Sequence, residues 1–421
     1  MYKKILMTLG LLLPMVVRGE TLQECRQLAQ DNYLLVKRYD LIKLSEQFTL
    51  DNIGKGWLPQ ISAYGQASIQ SAVTELPEAL KTMMAAQGES PRGISKFQYR
   101  VGVDVQQTVY DGGAIEASRN VARAQNEVEL SRNAVDIYAI QNRVNDLYFS
   151  LLLIDERLAL NNEHITMLQA NVNKIASLHK GGVAMGSDVD VMRAELATAQ
   201  QQRVEMQGMR DAVRQVLSLL CGKDIATVVK PDEPALATGL RPELIALDRQ
   251  LQLTQAQEKA LDSAIRPKVG LFAQGFYGYT GLNMFRDMYH RTPTLNGILG
   301  ARITWNISSL YTRKNDRSKL ALQRSNIENA RETFLFNQSL QSTQQQGVAD
   351  KYKKMLAQDD DIIALRRNVR KAAEAKLNAG VIDTNNLLQE ITREQQAAIN
   401  KSIHEVEYLK ALYSLQTIQG Q

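Results

Sequence analysis

The chain has 421 residues, with 50 Lys and Arg against 45 Asp and Glu, so its formal net charge is only +5. The two signs are interspersed and no basic block carries interleaved aromatic residues, so the sequence gives no support for nucleic-acid binding. Beyond the N-terminus, no apolar run reaches the roughly 18 residues that a transmembrane helix needs.

The N-terminus has the pattern of a secreted protein. Lys3 and Lys4 precede the apolar run 5–17, which is too short for a stable membrane anchor, and Gly19 follows it. We predict that residues 1–19 are a signal peptide; the alternative is an N-terminal membrane anchor. The mature chain then lies outside the cytoplasm, either soluble or inserted in a membrane as a β-barrel.

Two cysteines, Cys25 and Cys221, lie at the two ends of the segment 20–222. In an oxidising compartment they can form a disulfide, provided that the segment folds back so that its ends meet. The alternative is a pair of small buried residues. The sequence leaves both readings open.

A helix is predicted at 21–53, followed after Pro59 by a strand at 61–69 and a second strand at 97–110. The second strand alternates apolar with polar side chains, so one face is apolar and the other polar. A barrel wall between lipid and water needs this pattern. A soluble sandwich sheet is the alternative.

Past Asp111-Gly112-Gly113 the period becomes helical. Residues 114–179 contain no Pro or Gly, and their apolar positions alternate in steps of three and four, the heptad pattern of a coiled coil. Such a helix is about 100 Å long. Gly181-Gly182 ends it, Ser187-Asp188 is predicted to cap a helix that returns to about Leu220, and Asn161 is interpreted as a register or wet position.

The second half repeats this order at an offset of roughly 200 residues. We predict helices at 241–263, about 313–377 and 385–418, strands at 269–279 and 295–307, and a second tip at 379–381, with Asp359 as a polar break like Asn161. The two repeats, 20–222 and 223–421, are expected to interleave in one domain. The residues predicted to form an aromatic girdle at the membrane interfaces are Tyr277, Tyr279, Tyr289 and Trp305.

Four strands are too few to close a barrel, because single-chain outer-membrane barrels have at least about eight. An open sheet in lipid leaves unpaired backbone groups at its edges, at a cost of several kcal/mol each. The strand count therefore predicts that several subunits share one barrel.

Motifs for chemistry are missing from the sequence. The four histidines are scattered without metal-ligand spacing, and there is no nucleophile elbow, Walker loop or dinucleotide-binding glycine pattern. The glycines of 274–281 are interpreted as close-packing residues of a strand. We expect no enzyme activity, cofactor or metal site.

Several weak motifs, in this order and with the repeat, resemble those of the TolC-like outer-membrane efflux proteins over almost the whole mature chain. They are Leu-Pro-Gln-Ile at 58–61 and its copy Arg-Pro-Lys-Val at 266–269, Val-Tyr-Asp-Gly-Gly at 109–113, the tip 182–189, Leu-Leu-Cys-Gly at 219–222 and Arg-Pro-Glu-Leu at 241–244.

The resemblance implies an α+β membrane protein. It would be a homotrimer that shares one twelve-stranded β-barrel, four strands per chain, in the outer-membrane lipid, with long coiled-coil helices forming a tunnel in the periplasm. It also implies a passive channel of a tripartite efflux or type I secretion system, which exports small molecules or polypeptides. The partners would be a periplasmic adaptor and an inner-membrane transporter that drives export. A periplasmic coiled-coil structural or adhesion protein with a small β-domain is the alternative.

In the best-known members of that family, aspartates near the second tip form an acidic constriction at the periplasmic mouth. The corresponding residues here are Asn386 and Gln389, with Asp383 just before them, while the first tip has Asp188 and Asp190. These five residues are the predicted aperture candidates. For Asp188, a plain helix cap is the alternative.

Overall fold

The computed structural model describes residues 19–237 and 239–420. Residues 1–18 of the predicted signal peptide lie outside this described part. None of the described helices combines the length and the hydrophobicity needed to span a bilayer.

Long helices and one four-stranded sheet make up the described chain, which confirms the predicted α+β fold class. The elements, in chain order, are α1 (Leu22–Asn32), α2 (Leu35–Gly54), β1 (Gln60–Ile69), α3 (Glu78–Ala86), β2 (Phe97–Tyr110), α4 (Ala114–Lys180), α5 (Gly186–Cys221), α6 (Pro242–Ala264), β3 (Lys268–Tyr279), α7 (Met284–Tyr289), β4 (Thr294–Thr304), α8 (Ser309–Asn378) and α9 (Thr384–Ile418). From α2 onward the same order of elements occurs twice. The division into repeats at 222/223 stays a prediction.

The chain forms two compact units. Among the described residues, one unit comprises 19–39, 131–246 and 331–420 and includes the turns that join α4 to α5 and α8 to α9. The other comprises 40–130 and 247–330 and contains the sheet.

The sheet has the order β1-β2-β3-β4 and is antiparallel throughout. The strand predicted at 97–110 is confirmed, because β2 spans that range. The apolar side chains of the sheet have little cover within the chain: exposed ones include Ile61, Val101, Val103, Leu271, Leu295, Leu299 and Ile303. β1 and β4 are the two edges. One face and both edges of the sheet therefore lack a partner in the described residues.

The predicted aromatic girdle is wrong at Tyr279. Its side chain is only 3% exposed and packs with Ile94 and Met288 in a small core between the two loops that join the strand pairs. Its hydroxyl accepts a hydrogen bond from the Ser95 amide (2.9 Å) and donates one to the Asp287 carbonyl (3.2 Å). Tyr279 thus packs between the two loops and does not face a membrane interface, whereas Tyr277 on the same strand is exposed.

Two predicted element boundaries differ from the structure. The helix predicted at 21–53 is broken at Tyr33, whose backbone is extended and whose side chain packs on the core around α1. The Asn32 amide fixes this break by donating to the Leu219 and Leu220 carbonyls, both at 3.2 Å. The strand predicted at 295–307 ends at Thr304, and the Trp305 indole beyond it donates to the Ile265 carbonyl (2.9 Å).

The two polar breaks in the apolar seams join the helices of their own hairpins. Buried Asn161 on α4 donates to the Ala199 carbonyl of α5 at 3.0 Å. Asp359 on α8 lies 2.7 Å from Nδ1 of His404 on α9, and both side chains are buried or nearly so. Each polar group is satisfied only when its two helices are in one register, which agrees with the interpretation of these residues as register positions.

Candidate functional site

The candidate site is the pair of tips at which the long helices turn. α4 and α8 end alike: Gly182 (φ 77°) and Gly380 (φ 69°) adopt the left-handed conformation. The Val183 amide donates to the Leu178 carbonyl, and the Val381 amide to the Lys376 carbonyl, both at 2.9 Å. This closing pattern satisfies the last helical carbonyls and requires a residue that tolerates positive φ, hence glycine.

Each returning helix is capped by one aspartate. This aspartate occupies the third helical position at the first tip and the N-cap position at the second. At the first tip the N-cap is Met185, and Asp188 inside the helix accepts from the Met185 amide at 2.9 Å. At the second tip Asp383 itself is the N-cap and accepts from the Asn386 amide at 2.8 Å. The predicted N-cap at Ser187-Asp188 is therefore wrong, although Asp188 does satisfy a backbone donor at the start of α5.

The two tips together line a cavity of about 480 Å³. Its polar side chains include Asp188, Asp383 and Asn386; its apolar lining includes Ile175, Leu178, Val183, Leu377, Val381 and Ile382. The structure thus brings together three of the five predicted aperture residues. Asp190 and Gln389 do not line this cavity: Gln389 is exposed, and exposed Asp190 lies 3.9 Å from Arg193.

A shared core holds the tips behind this cavity. Its buried members come from both hairpins: Leu168, Val172, Ile175, Val189, Met192, Leu196, Ala199, Ala373, Leu377, Leu387 and Ile391. By contrast, Val183 and Val381 at the very tips are each 68% exposed, and Met185 is exposed as well. The tips are therefore apolar surfaces on a well-packed base, which is the usual character of a contact surface.

Sequence reasoning missed an ion-pair cluster between α8 and α9. Arg370 bonds to Glu374 on its own helix and to Glu394 on α9, and Arg367 also reaches Glu394 at 3.4 Å. Burial alone would lower the pKa of the Arg370 guanidinium, but the hydrogen bonds to the two glutamates raise it above its ordinary value. The spacing of Arg366, Arg367 and Arg370 on one helix face was the available signal, whereas the partner Glu394 could not be identified without the fold.

The predicted meeting of the two cysteines occurs. Cys25 on α1 and Cys221 at the end of α5 are both buried, in one core, and the Cys221 Sγ lies 3.6 Å from the Cys25 carbonyl. The two sulfur atoms are not joined by a disulfide in the structure. The hydrogen bond with Cys221, together with burial, raises the pKa of the Cys25 thiol well above its ordinary value.

The described residues contain no group of three or more His, Cys, Asp or Glu side chains arranged to hold a metal ion. The carboxylates at the tips act instead as helix caps and as partners of single arginines. Such carboxylates can attract cations without binding them in a closed site.

Residues 49–223 match the outer membrane efflux protein family. No curated protein sequence matches the chain significantly.

Solved structures of outer-membrane channels have the same fold. The outer-membrane channel OprN aligns with a TM-score of 0.66 and 15% identity, over 95% of this chain and 89% of that one. The Campylobacter jejuni CmeC channel aligns with a TM-score of 0.65 and 14% identity, over 96% of this chain and 86% of that one. The open state of the Neisseria gonorrhoeae MtrE channel aligns with a TM-score of 0.63 and 13% identity, over 95% of this chain and 88% of that one. At such identities the likeness establishes the fold.

Proposed function

We propose that the chain, which resembles the TolC-like outer membrane efflux proteins as its sequence predicted, is the outer-membrane channel of a tripartite efflux or type I secretion system. Its role is passive: it conducts small molecules or polypeptides while an inner-membrane transporter supplies the driving force. It has no enzymatic step and needs no cofactor.

The observation that carries this proposal is the sheet with no partner. Many of its apolar side chains are exposed, and neither edge strand has a neighbouring strand on its outer side among the described residues. Lipid satisfies an apolar face, but it cannot satisfy the backbone groups of an edge strand. Further copies of the same sheet satisfy them by edge-to-edge pairing, and three copies supply the twelve strands that the family resemblance implies. We therefore assign the protein to the outer membrane as a homotrimer.

The helical hairpins carry the second part of the proposal. α4 has 67 residues and α8 has 70, which corresponds to about 100 Å each. We assign them to a tunnel wall in the periplasm, with the tips as the end that faces the inner membrane. The exposed apolar residues Val183, Met185 and Val381 at the tips suit the docking of a periplasmic adaptor.

The aperture candidates are assigned to this end of the channel. Asp188, Asp190, Asp383, Asn386 and Gln389 supply a mouth with three carboxylates per chain, and negative charge at a mouth raises the local concentration of cations. Asp190 is the cleanest probe, because Asp188 and Asp383 also cap helices.

We predict that Asp190→Asn weakens block of the channel by a multivalent cation at least about threefold, because each copy then loses one charge at the mouth. The measurement is the half-blocking cation concentration in planar bilayers. Asp211→Asn is a matched control: Asp211 is also exposed on α5 and also lies 3.9 Å from the arginine three residues later. Unchanged block in Asp190→Asn, or an equal change in the control, removes Asp190 from the mouth.

The rival function is a periplasmic coiled-coil structural or adhesion protein with a small β-domain. Cell fractionation separates the two. The channel is expected in the outer membrane, and detergent should extract it as a trimer. A monomer released by osmotic shock without detergent would favour the rival.

A further inference from the structure

A basic cavity lies between the two loops that join the strand pairs, in the unit that contains the sheet. Its volume is about 470 Å³. Four cationic side chains line it: Lys81, Arg92, Lys96 and Arg291. Glu75 is the one carboxylate in the lining, and Val73, Leu76 and Ile94 supply apolar surface.

Three of the four cations of this cavity have no ion-pair partner among the described residues. Lys81 pairs with Glu75 (3.5 Å) and Glu78 (2.8 Å). Arg92 and Lys96 have no carboxylate within ion-pair distance among the described residues, and both side chains are exposed. Four cations therefore face two carboxylates, and the excess positive charge lies at Arg92 and Lys96 together with Arg291.

Arg291 joins the two loops that form the cavity. Its Nε donates to the Gly93 carbonyl at 3.1 Å and its Nη2 to the Arg92 carbonyl at 2.6 Å. These bonds tie the loop between β3 and β4 to the loop between β1 and β2, and they bring the Arg291 charge beside Arg92. No carboxylate takes part in this tie, so the guanidinium stays available to an anion.

The loops that carry the cavity are built on a packed base. Buried Asp287 accepts from the Gly281 amide at 2.6 Å, and Tyr279 bonds to both loops through its hydroxyl. Because these bonds lie in the same small core as Ile94, the cavity wall is held from beneath. The backbone that carries its cations is therefore held in place before a ligand binds.

Exposed aromatic residues lie at the end of the sheet that is next to the cavity. Phe97 and Tyr99 begin β2 directly after Lys96, and Tyr277 is paired with neighbouring Val101 across β2 and β3; all three aromatic side chains are exposed. Aromatic side chains at the ends of membrane strands lie at headgroup depth. A cavity just beyond them lies where lipid phosphates are found.

We propose that this cavity binds a phosphate group, and that the phosphate belongs to the headgroup of an outer-leaflet lipid. Arg92, Lys96 and Arg291 bind its oxygens by charge-assisted hydrogen bonds, and the apolar wall at Val73, Leu76 and Ile94 contacts the less polar part of the headgroup. The assignment to lipid rests on the proposed outer-membrane function; a free phosphate offers the same chemistry to the same cations.

The test uses the full chain in detergent and two lipid probes: a diphosphorylated acyl-glucosamine lipid and the same lipid without its phosphates. Inorganic phosphate is the third probe. We expect the phosphorylated lipid to bind at least about tenfold more tightly than the other two. Equal binding of both lipids overturns the site, and inorganic phosphate that binds as tightly as the phosphorylated lipid overturns the lipid assignment.

The variant is Arg92→Gln with Lys96→Gln, which removes two exposed charges and no structural bond made by their side chains. It should lose the preference for phosphate, a decrease of about tenfold or more in affinity. The matched control is Arg286→Gln with Lys55→Gln, which removes an exposed arginine and an exposed lysine of the same unit that do not line the cavity. Loss in the control equal to that in the variant overturns the proposal.

Channel conductance is measured on the same preparations. Conduction without phosphate-dependent lipid binding overturns the lipid site and leaves the channel function intact. Phosphate-dependent binding without conduction supports the site and contradicts the channel function.

Discussion

His164 is a buried residue with an unsatisfied nitrogen. It lies on α4, is 6% exposed, and its Nδ1 has no hydrogen-bond partner among the described residues. Burial lowers the pKa of His164 below its ordinary value of 6.5, and the charge of Glu195 opposes this only in part. The folded protein thus favours the neutral imidazole more strongly than the unfolded chain does.

This preference has a defined effect on stability. Between the folded pKa and 6.5 the unfolded chain binds more protons than the folded one, so the free energy of unfolding falls as the pH falls through that window. We predict that His164→Leu shows a smaller drop in melting temperature than the wild type between pH 7.5 and pH 5. His290→Leu, at an exposed histidine, should keep the wild-type drop. An unchanged drop in His164→Leu contradicts this account.

Cys25 and Cys221 are expected to form a disulfide once the protein is secreted. They already meet in one core, and an oxidant carrying a disulfide takes up the two electrons and two protons that the thiols lose. A bond that closes this long loop adds about 2–5 kcal/mol of stability.

Alkylation of the denatured protein tests the bond. We predict no adduct before reduction and two adducts after it, by mass. Cys221→Ser should take one adduct without reduction. Two adducts on the unreduced wild type would show that the residues remain buried thiols.

At the scale of elements, the two faces of one strand give a direct test of orientation. Leu299, in the middle of β4, is 82% exposed, whereas its neighbour Ile298 on the opposite face is 37% exposed. If Leu299 faces lipid, Leu299→Lys costs about 2–4 kcal/mol of membrane stability. Ile298→Lys makes the same chemical change on the opposite face, toward the proposed water-filled interior, and should cost much less.

Resistance to extraction by urea from isolated membranes measures this difference. We predict that Leu299→Lys is extracted at a lower urea concentration than Ile298→Lys. Equal extraction, or the reverse order, would mean that the apolar face of β4 does not lie against lipid.

Elements with a local period could be predicted from sequence, and contacts between distant elements could not. The alternation at 97–110 and the glycine tips fixed β2 and the ends of α4 and α8, because each pattern lies within a few residues of the element that it specifies. The burial of Tyr279 depends on a loop 184 residues away, at Ser95. The break at Tyr33 and the partner of Arg370 depend likewise on other helices.

The candidate site divides in the same way. The positions of both tips could be predicted from sequence. The position from which an aspartate caps each returning helix could not. Met185 replaces the usual polar N-cap, so the capping carboxylate comes from Asp188 instead. A pattern of residue types cannot distinguish an aspartate at the N-cap, such as Asp383, from one at the third helical position, such as Asp188. Either aspartate satisfies a backbone donor at the helix start.

At the scale of the whole molecule, the described residues of one chain leave the sheet incomplete. The apolar face and the two edges that it leaves open are satisfied together only by lipid and by further copies. The proposed function therefore includes the assembly of several copies around one channel.

Single-channel recording of the purified protein in planar bilayers tests this claim most directly. We predict stable, discrete conductance steps from a species with the mass of three chains, each about 47 kDa before removal of the signal peptide. A chain that stays monomeric and produces no conductance would contradict the account.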